Sequence, residues 1–237
     1  FEIGLQLDHP NICRTISMEP VGDLGECIVM EYVDGETLES AVTSGKLTED
    51  MVVKIACQLL DAMEYMHAKH IVHRDIKPSN IMLTHRGDDV KLIDFGLSDS
   101  ETFCVLKIPA GTRCYMAPEQ LQPDAKSDPC ADIFSFGKVL EYMAGAVHSK
   151  RLARIGQKCS DENRMRRPSD MDTIRHMLDS TGNWHVVLNA LLMAVALALM
   201  VAIAAMTYGR EDASEESVPA DSVVEGGVNK VVDSAYW

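Results

Sequence analysis

The sequence lacks the cysteine pattern of a disulfide-stapled or zinc-binding domain. Its seven cysteines are scattered and odd in number, and no two of them form a CxxC pair. Both classes need paired cysteines, so the sequence favours neither and indicates a reducing compartment. The chain also begins without a signal-peptide pattern.

An excess of positive charge is also missing. The 237 residues contain 36 acidic side chains against 22 lysines and arginines, which gives a net charge of −14. Nucleic-acid binding depends on cations that neutralise phosphates, so we expect no nucleic-acid partner. The length allows one sizeable domain or two small ones.

The most informative stretch is residues 73–96, HRDIKPSNIMLTHRGDDVKLIDFG. Two short apolar runs, Ile81–Thr84 and Val90–Ile93, flank a polar turn that contains a glycine. This pattern predicts a β-hairpin. Because a hairpin brings its outer ends together, Asn80 and Asp94 are expected to face each other across it.

The residue types around this hairpin indicate phosphoryl transfer. Asn80 and Asp94 would converge near a third polar side chain, Asp75, and such an oxygen-rich site suits Mg²⁺. Lys77 lies two residues after Asp75, where it can hold a transferring phosphoryl group while Asp75 orients a hydroxyl.

Three ordered motifs resemble the signature set of the protein kinases: HRDIKPSN at 73–80, DFG at 94–96 and GTRCYMAPE at 111–119. A lone DFG is common by chance, but three motifs in this order and spacing are not. The resemblance covers about residues 1–180. It implies an α+β, protein-kinase-like fold with a complete, mainly helical C-lobe and a partial N-lobe sheet.

The resemblance also implies roles for single residues. Asp75 corresponds to the catalytic base, Lys77 to the charge stabiliser, and Asn80 and Asp94 to the Mg²⁺ ligands. The hydroxyl of Thr112 is expected to bond Asp75 and Lys77 and to help place the substrate hydroxyl. The implied reaction moves the γ-phosphoryl group of ATP to protein hydroxyls, with ATP and Mg²⁺ as cofactors.

Two further segments refine this expectation. Ile28–Gly35 resembles the last small-lobe strand and hinge, with Met30 as gatekeeper and backbone groups of Glu31 and Val33 binding adenine. Ile76-Lys77 after the proposed base favours protein substrates with serine or threonine acceptors over tyrosine.

The resemblance is incomplete at its start. The glycine-rich loop and the strand with the ATP-phosphate lysine are absent from the 237 residues, and the C-helix glutamate would fall one residue before Phe1. We therefore expect a fragment of a longer kinase or a mis-started reading of its gene, with a natural half-kinase as the alternative. The alternative function is a membrane-anchored pseudokinase scaffold, which the missing lysine favours and the intact HRD, Asn80 and DFG residues oppose.

The segments outside the three motifs carry structural predictions. Thr48 is expected to cap one long helix that reaches about His70. By resemblance, Asp132 accepts hydrogen bonds from the backbone of the His73–Arg74 loop, and Arg167 forms a buried ion pair with Glu119. The chain after Met143 is short for a kinase, so we expect the usual peptide-binding helix to be shrunken.

The loop after Gly96 resembles the activation segment. Arg74 resembles the arginine that pairs with a phosphate on that segment, which makes Ser100 or Thr102 a candidate phosphorylation site. A solvated loop with incidental hydroxyls is the alternative.

A long apolar run follows the kinase-like region. Val186–Tyr208 contains 23 residues and no charge. As a helix it would measure about 34 Å, enough to cross a hydrocarbon core of about 30 Å. Trp184 and Tyr208 lie at its ends, as interfacial aromatics do. A buried core helix is the alternative, but such a helix would show a polar face.

The charges around this run predict its orientation. Arg166, Arg167 and Arg175 precede it within twenty residues, whereas only Arg210 follows it as closely. The kinase side is therefore expected in the cytoplasm, and the acidic tail is expected outside it and disordered.

The expected domains are a partial N-lobe at 1–34, a C-lobe at 35–180, a transmembrane helix at 186–208 in the lipid bilayer, and a tail at 209–237. This layout resembles the bacterial Hanks-type receptor kinases.

Topology mapping tests this orientation. A reporter that is active only outside the cytoplasm should work when fused after Trp237 and fail when fused before Trp184. Protease added to spheroplasts should trim only the acidic tail. The reverse reporter pattern would contradict the orientation, and release of the chain by a carbonate wash would contradict the membrane span.

Overall fold

The computed structural model describes residues 1–95, 113–121, 128–179 and 191–203. The chain forms two compact units, Phe1–Gly182 and Asn183–Trp237. Three residues singled out above, Ser100, Thr102 and Thr112, lie outside the described residues, as does the acidic tail.

The first unit begins with a short helix and a two-stranded ribbon. Helix α1 (Glu2–Leu5) precedes strands β1 (Thr15–Pro20) and β2 (Glu26–Met30), which pair antiparallel. The chain reverses through a 3₁₀ turn at Gly22–Leu24, and Gly25 takes a φ of 75°, a conformation that glycine adopts without a side-chain clash. Strand β2 overlaps the start of Ile28–Gly35, the segment expected to form the last small-lobe strand and hinge.

A three-stranded sheet contains the predicted hairpin. Its strands β3 (Gly35–Thr37), β4 (Ile81–Thr84) and β5 (Val90–Leu92) follow the order β3-β4-β5, and both pairings are antiparallel. Ile81 pairs with Leu92, so the predicted hairpin is confirmed. The Ile93 N–H donates to the Asn80 carbonyl oxygen at 2.9 Å, which places Asn80 beside the residue that precedes Asp94.

Helix α3 forms the floor of the first unit. It runs over Glu49–Ala68 after the shorter helix α2 (Leu38–Thr43). The Met51 N–H donates to the Thr48 hydroxyl at 3.2 Å, which confirms the predicted cap. The apolar residues that recur at helical spacing are all fully buried: Val52, Ile55, Leu59, Met63 and Met66. The predicted long helix is therefore confirmed.

Three helices complete the core: α4 (Pro129–Ala146), α5 (Lys150–Cys159) and α6 (Met171–Asp179). Only Val147, His148 and Ser149 connect α4 to α5, so the described chain has no further helix between them. The peptide-binding helix was expected to be shrunken, and the described chain leaves room for only these three residues between α4 and α5. Helices α4 and α5 approach closely where glycines face each other at Gly137 and Gly156.

In the second unit, residues 191–203 are helical. Among the described residues, no helix combines the length and the apolar character that crossing a membrane requires. The predicted span at 186–208 extends beyond the described residues at both of its ends.

The α4–α5 contact gives a stability prediction. A Cβ atom at Gly137 would lie 2.6 Å from both the Gly156 oxygen and the Ser160 nitrogen, so the two backbones must move apart. We expect Gly137→Ala to lower the free energy of unfolding by about 1–3 kcal/mol, measured by urea denaturation in detergent. The control is Gly145→Ala in the same helix, where a Cβ meets nothing within 4 Å. It should leave stability unchanged or raise it, and equal stabilities for both variants would contradict the close contact.

Candidate functional site

The loop between α3 and β4 holds a buried carboxylate. Asp75 is 7% exposed, and its Oδ2 accepts hydrogen bonds from Lys77 Nζ at 2.7 Å and from Asn80 Nδ2 at 2.9 Å. Asn80 Nδ2 also donates to the Asp75 carbonyl oxygen at 3.0 Å. The structure thus brings together three of the predicted site residues, and charge-assisted hydrogen bonds fix their geometry.

Asp132 on α4 anchors this loop through hydrogen bonds to its backbone. The carboxylate is fully buried and accepts from the His73 N–H at 2.9 Å and the Arg74 N–H at 2.8 Å, as predicted. His67 Nε2, in the last turn of α3, lies 2.8 Å from the same carboxylate. Sequence reasoning missed His67, because nothing in the chain pattern relates it to a residue 65 positions away.

The backbone at the site is strained in two places. Arg74 has a φ of 68° and Asp94 a φ of 66°, both in the left-handed region that favours glycine. Such conformations persist only where the surroundings enforce them, and they cluster at functional sites. The sequence contains no signal for either one.

His73 connects the Asp75 loop to the end of the hairpin. Its Nδ1 accepts from the Asp75 N–H at 3.3 Å, so its Nε2 carries the proton and donates to the Ile93 oxygen at 3.3 Å. Its ring lies 5.0 Å from that of Phe95. Burial lowers the pKa of His73 despite the opposing charges of Asp132 and Asp75, which keeps the ring neutral in this bonding pattern.

Asp94 lines a cavity of about 300 Å³ together with residues of the N-terminal ribbon and of the end of the hairpin. The other lining residues are mostly apolar: Phe1, Gly4, Thr15, Ile28, Met30, Ile93 and Phe95. The structure therefore brings Met30, the predicted gatekeeper, into the same cavity as the predicted metal ligand Asp94.

The two predicted hinge residues line a different cavity. Glu31 and Val33 face a space of about 590 Å³ together with Lys91, which pairs with the Glu31 carboxylate. The Glu31 N–H already donates to the Arg14 oxygen at 2.9 Å. The Glu31 carbonyl oxygen also accepts from the Cys13 thiol at 3.7 Å, so adenine binding by this segment would rely on the second lone pair of that oxygen and on the backbone of Val33.

The residues present fit a magnesium ion bound with a nucleotide. Asn80 uses its amide nitrogen for Asp75, which leaves its Oδ1 as an acceptor, and Asp94 supplies a carboxylate. Mg²⁺ typically takes one or two protein ligands and completes its shell with water and phosphate oxygens. Within the described part of the chain, no cluster of three or more histidine, cysteine or acidic side chains could hold a metal by itself.

The segment 113–121 is tied to the Asp75 loop by residues that sequence reasoning missed. Gln120 Nε2 donates to the Arg74 oxygen at 3.2 Å, and its Oε1 accepts from the Ala117 N–H at 3.0 Å. The Ser135 hydroxyl on α4 donates to the Tyr115 oxygen at 2.7 Å. Both are ordinary polar residues in the sequence, and only the fold shows their long-range partners.

The predicted pair of Arg167 and Glu119 is confirmed. The guanidinium makes two bonds to the carboxylate, at 2.5 and 2.9 Å, and its Cζ lies 4.9 Å from the centroid of the Phe134 ring. It also donates to the carbonyl oxygens of Asp161 and Cys130. The arginine side chain is fully buried, whereas 23% of the Glu119 side chain stays exposed, so the pair is less deeply buried than predicted.

Comparison with known proteins gives one consistent result. The protein kinase domain family matches residues 1–180. The chain is 39% identical over 137 residues to the probable serine/threonine-protein kinase mkcB of Dictyostelium discoideum, covering 58% of this chain and 19% of that protein. It is 40% identical over 143 residues to the serine/threonine-protein kinase ppk25 of Schizosaccharomyces pombe, covering 60% and 34%.

A bacterial relative gives a similar match. The serine/threonine-protein kinase pkn2 of Myxococcus xanthus is 33% identical over 144 residues, covering 57% of this chain and 17% of the relative. The matched region spans only 11–34% of the length of the first curated relatives.

The Glu119–Arg167 pair gives a prediction on pH. Burial by itself would raise the pKa of Glu119, but the hydrogen bonds from Arg167 outweigh it and the pKa lies below its usual value. The pair therefore stabilises the fold above the unfolded-state pKa of about 4.5, and this contribution is lost as pH falls through the lowered folded-state pKa. We expect Glu119→Gln to be less stable than wild type at pH 7 by about 1–3 kcal/mol.

Thermal midpoints measured between pH 7 and pH 3 should show the difference between wild type and Glu119→Gln shrinking below pH 4.5. The control is Glu162→Gln, since that side chain is exposed and forms no ion pair among the described residues. It should match wild type throughout. A Glu119→Gln difference that stays constant with pH would contradict the charge interaction.

Proposed function

The chain belongs to the protein kinase family, and on that premise we propose that it transfers the γ-phosphoryl group of ATP to serine or threonine hydroxyls of proteins. The observation that carries this proposal is the buried cluster of Asp75, Lys77 and Asn80 beside Asp94. The serine/threonine kinases among the relatives support the acceptor class, as does Ile76-Lys77 after Asp75.

Asp75 acts as the base in this proposal. Its Oδ2 is occupied by Lys77 and Asn80, whereas Oδ1 accepts none of the hydrogen bonds found among the described residues. The acceptor hydroxyl oxygen attacks the γ-phosphorus and its proton moves to Asp75. The bond from the γ-phosphorus to the bridging oxygen breaks, and ADP leaves with that electron pair. Thr112 would help to hold the hydroxyl in place.

Lys77 and the metal ligands handle the negative charge. The Lys77 ammonium, 20% exposed, lies next to the base and can pair with the transferred phosphoryl group. Asn80 and Asp94 would hold Mg²⁺, which when bound neutralises charge on the ATP phosphates. Positioning and electrostatics supply nearly all of the catalysis in phosphoryl transfer, so this arrangement accounts for the activity.

ATP would enter with its adenine beside the ribbon. Met30 lies in the cavity that contains Asp94, which supports its role as gatekeeper next to the nucleotide. By family resemblance, the Glu31 carbonyl and the Val33 backbone would bind the adenine edge, although both residues line the cavity of about 590 Å³ and not the one that contains Asp94.

We further propose that residues 186–208 anchor the kinase unit to a membrane with that unit in the cytoplasm. The uncharged 23-residue run and the arginines before it support this arrangement. The Myxococcus relative supports a likeness to bacterial receptor kinases of the Hanks type, although other relatives come from eukaryotes.

Paired substitutions test the chemistry. In the full gene product with Mg²⁺–ATP, Asp75→Asn should lower turnover by about a hundred-fold or more while nucleotide affinity stays the same, because Asp75 contacts the acceptor hydroxyl. Asp94→Asn should instead weaken Mg²⁺–ATP binding, because its carboxylate holds the metal. Phosphate transfer and nucleotide titration measure the two effects.

The matched control is Asp88→Asn, in the hairpin turn, where a φ of 51° is one that asparagine also tolerates. It should change neither quantity. If wild type binds Mg²⁺–ATP but transfers nothing to itself or to generic protein substrates, the chain is a scaffold and the kinase proposal is wrong.

A further inference from the structure

Helix α5 carries a concentrated positive face. Its ten residues contain four lysines and arginines and no acid. Lys150, Arg154 and Lys158 are spaced four residues apart, so they share one face of the helix, and all three are exposed. The buried residues lie on the opposite face: Leu152, Ile155, Gly156 and Cys159.

This face has no anionic partner in the described part of the chain. None of the ion pairs found there includes Lys150, Arg154 or Lys158. Like charges four residues apart disfavour a helix, so the spacing works against the stability of α5 taken alone. The chain as a whole carries a charge of −14, which makes a purely cationic face stand out. An external anionic surface would remove the repulsion.

The position of α5 indicates which surface this is. Arg151, at the start of the helix, donates to the Leu178 carbonyl oxygen at 2.9 Å, next to the end of α6. Only six residues separate Asp179 from Val186, where the apolar run begins. Even fully extended, that connection reaches about 25 Å. This connection is long enough for the first unit to reach a membrane that the apolar run enters.

We propose that Lys150, Arg154 and Lys158 bind the anionic lipid headgroups of the cytoplasmic membrane surface. This proposal rests on the membrane anchor proposed above. Each lysine or arginine near such a surface raises partitioning about five-fold, and the attraction fades beyond a screening length of about 8–10 Å. The contact would give the kinase unit a second point of attachment to the bilayer besides the anchor.

Lysine labelling of the full chain in nanodiscs tests this contact. One set of discs contains phosphatidylcholine alone, and the other contains about one third phosphatidylserine. Amine acetylation followed by mass spectrometry reports each lysine separately. We expect Lys150 and Lys158 to react in the anionic discs at about one third of their rate in the neutral discs, or more slowly still. This difference should be lost at high salt. Lys69 serves as the internal control, since the twenty residues of α3 place it about 30 Å from Glu49, which contacts Arg151.

A charge variant checks that the helix face is responsible. Arg154→Gln should reduce the protection of Lys150 and Lys158 in the anionic discs, whereas Lys69→Gln, also an exposed site, should leave it unchanged. If the chain enters both kinds of disc but Lys150 and Lys158 are labelled equally fast in both, the headgroup contact is overturned and the membrane anchor is not. If Lys150 and Lys158 react more slowly than Lys69 to the same degree in neutral discs, a protein contact and not lipid charge shields the face, and the proposal is likewise overturned. Failure to enter either disc would overturn the anchor and this proposal with it.

Discussion

The buried carboxylate of Asp132 is the interaction on which the site depends. A fully buried charge is tolerated only when it is well hydrogen-bonded, and here two backbone N–H groups and His67 provide the bonds. The two N–H groups belong to His73 and Arg74, so the charge on α4 fixes the loop that presents the next residue, Asp75. Arg74 adopts its left-handed conformation within this arrangement.

From this anchor, polar contacts extend in two directions. His73 reaches the end of the hairpin through Ile93 and Phe95, which couples the base to the strand that leads to Asp94. Gln120 reaches the Arg74 oxygen and so couples the loop to segment 113–121. That segment is held in turn by Arg167, whose fully buried guanidinium binds Glu119. Residues that contact no reactant therefore position Asp75 and Asp94, which would contact the reactants.

Much of the architecture could be predicted because it depends on local patterns. The hairpin followed from two apolar runs around a glycine turn, and α3 followed from a capping threonine and apolar residues at helical spacing. The Asp132 and Arg167 contacts were predicted from family resemblance, and pattern alone would not have paired residues about fifty positions apart. The depth of the Glu119 pair was overestimated, because its exposure depends on packing that no motif encodes.

The sequence by itself determined which functional groups lie near one another along the chain: the carboxylates, the amide and the lysine of the site. It also determined where the helices and the hairpin begin and end. Tertiary structure alone decided three other features. It set the left-handed backbone at Arg74 and Asp94, recruited His67 and Gln120 to the site, and engaged the Glu31 N–H with Arg14. The physical reason is that hydrogen-bond partners and backbone strain depend on groups distant in sequence, whereas periodicity and capping depend on neighbours.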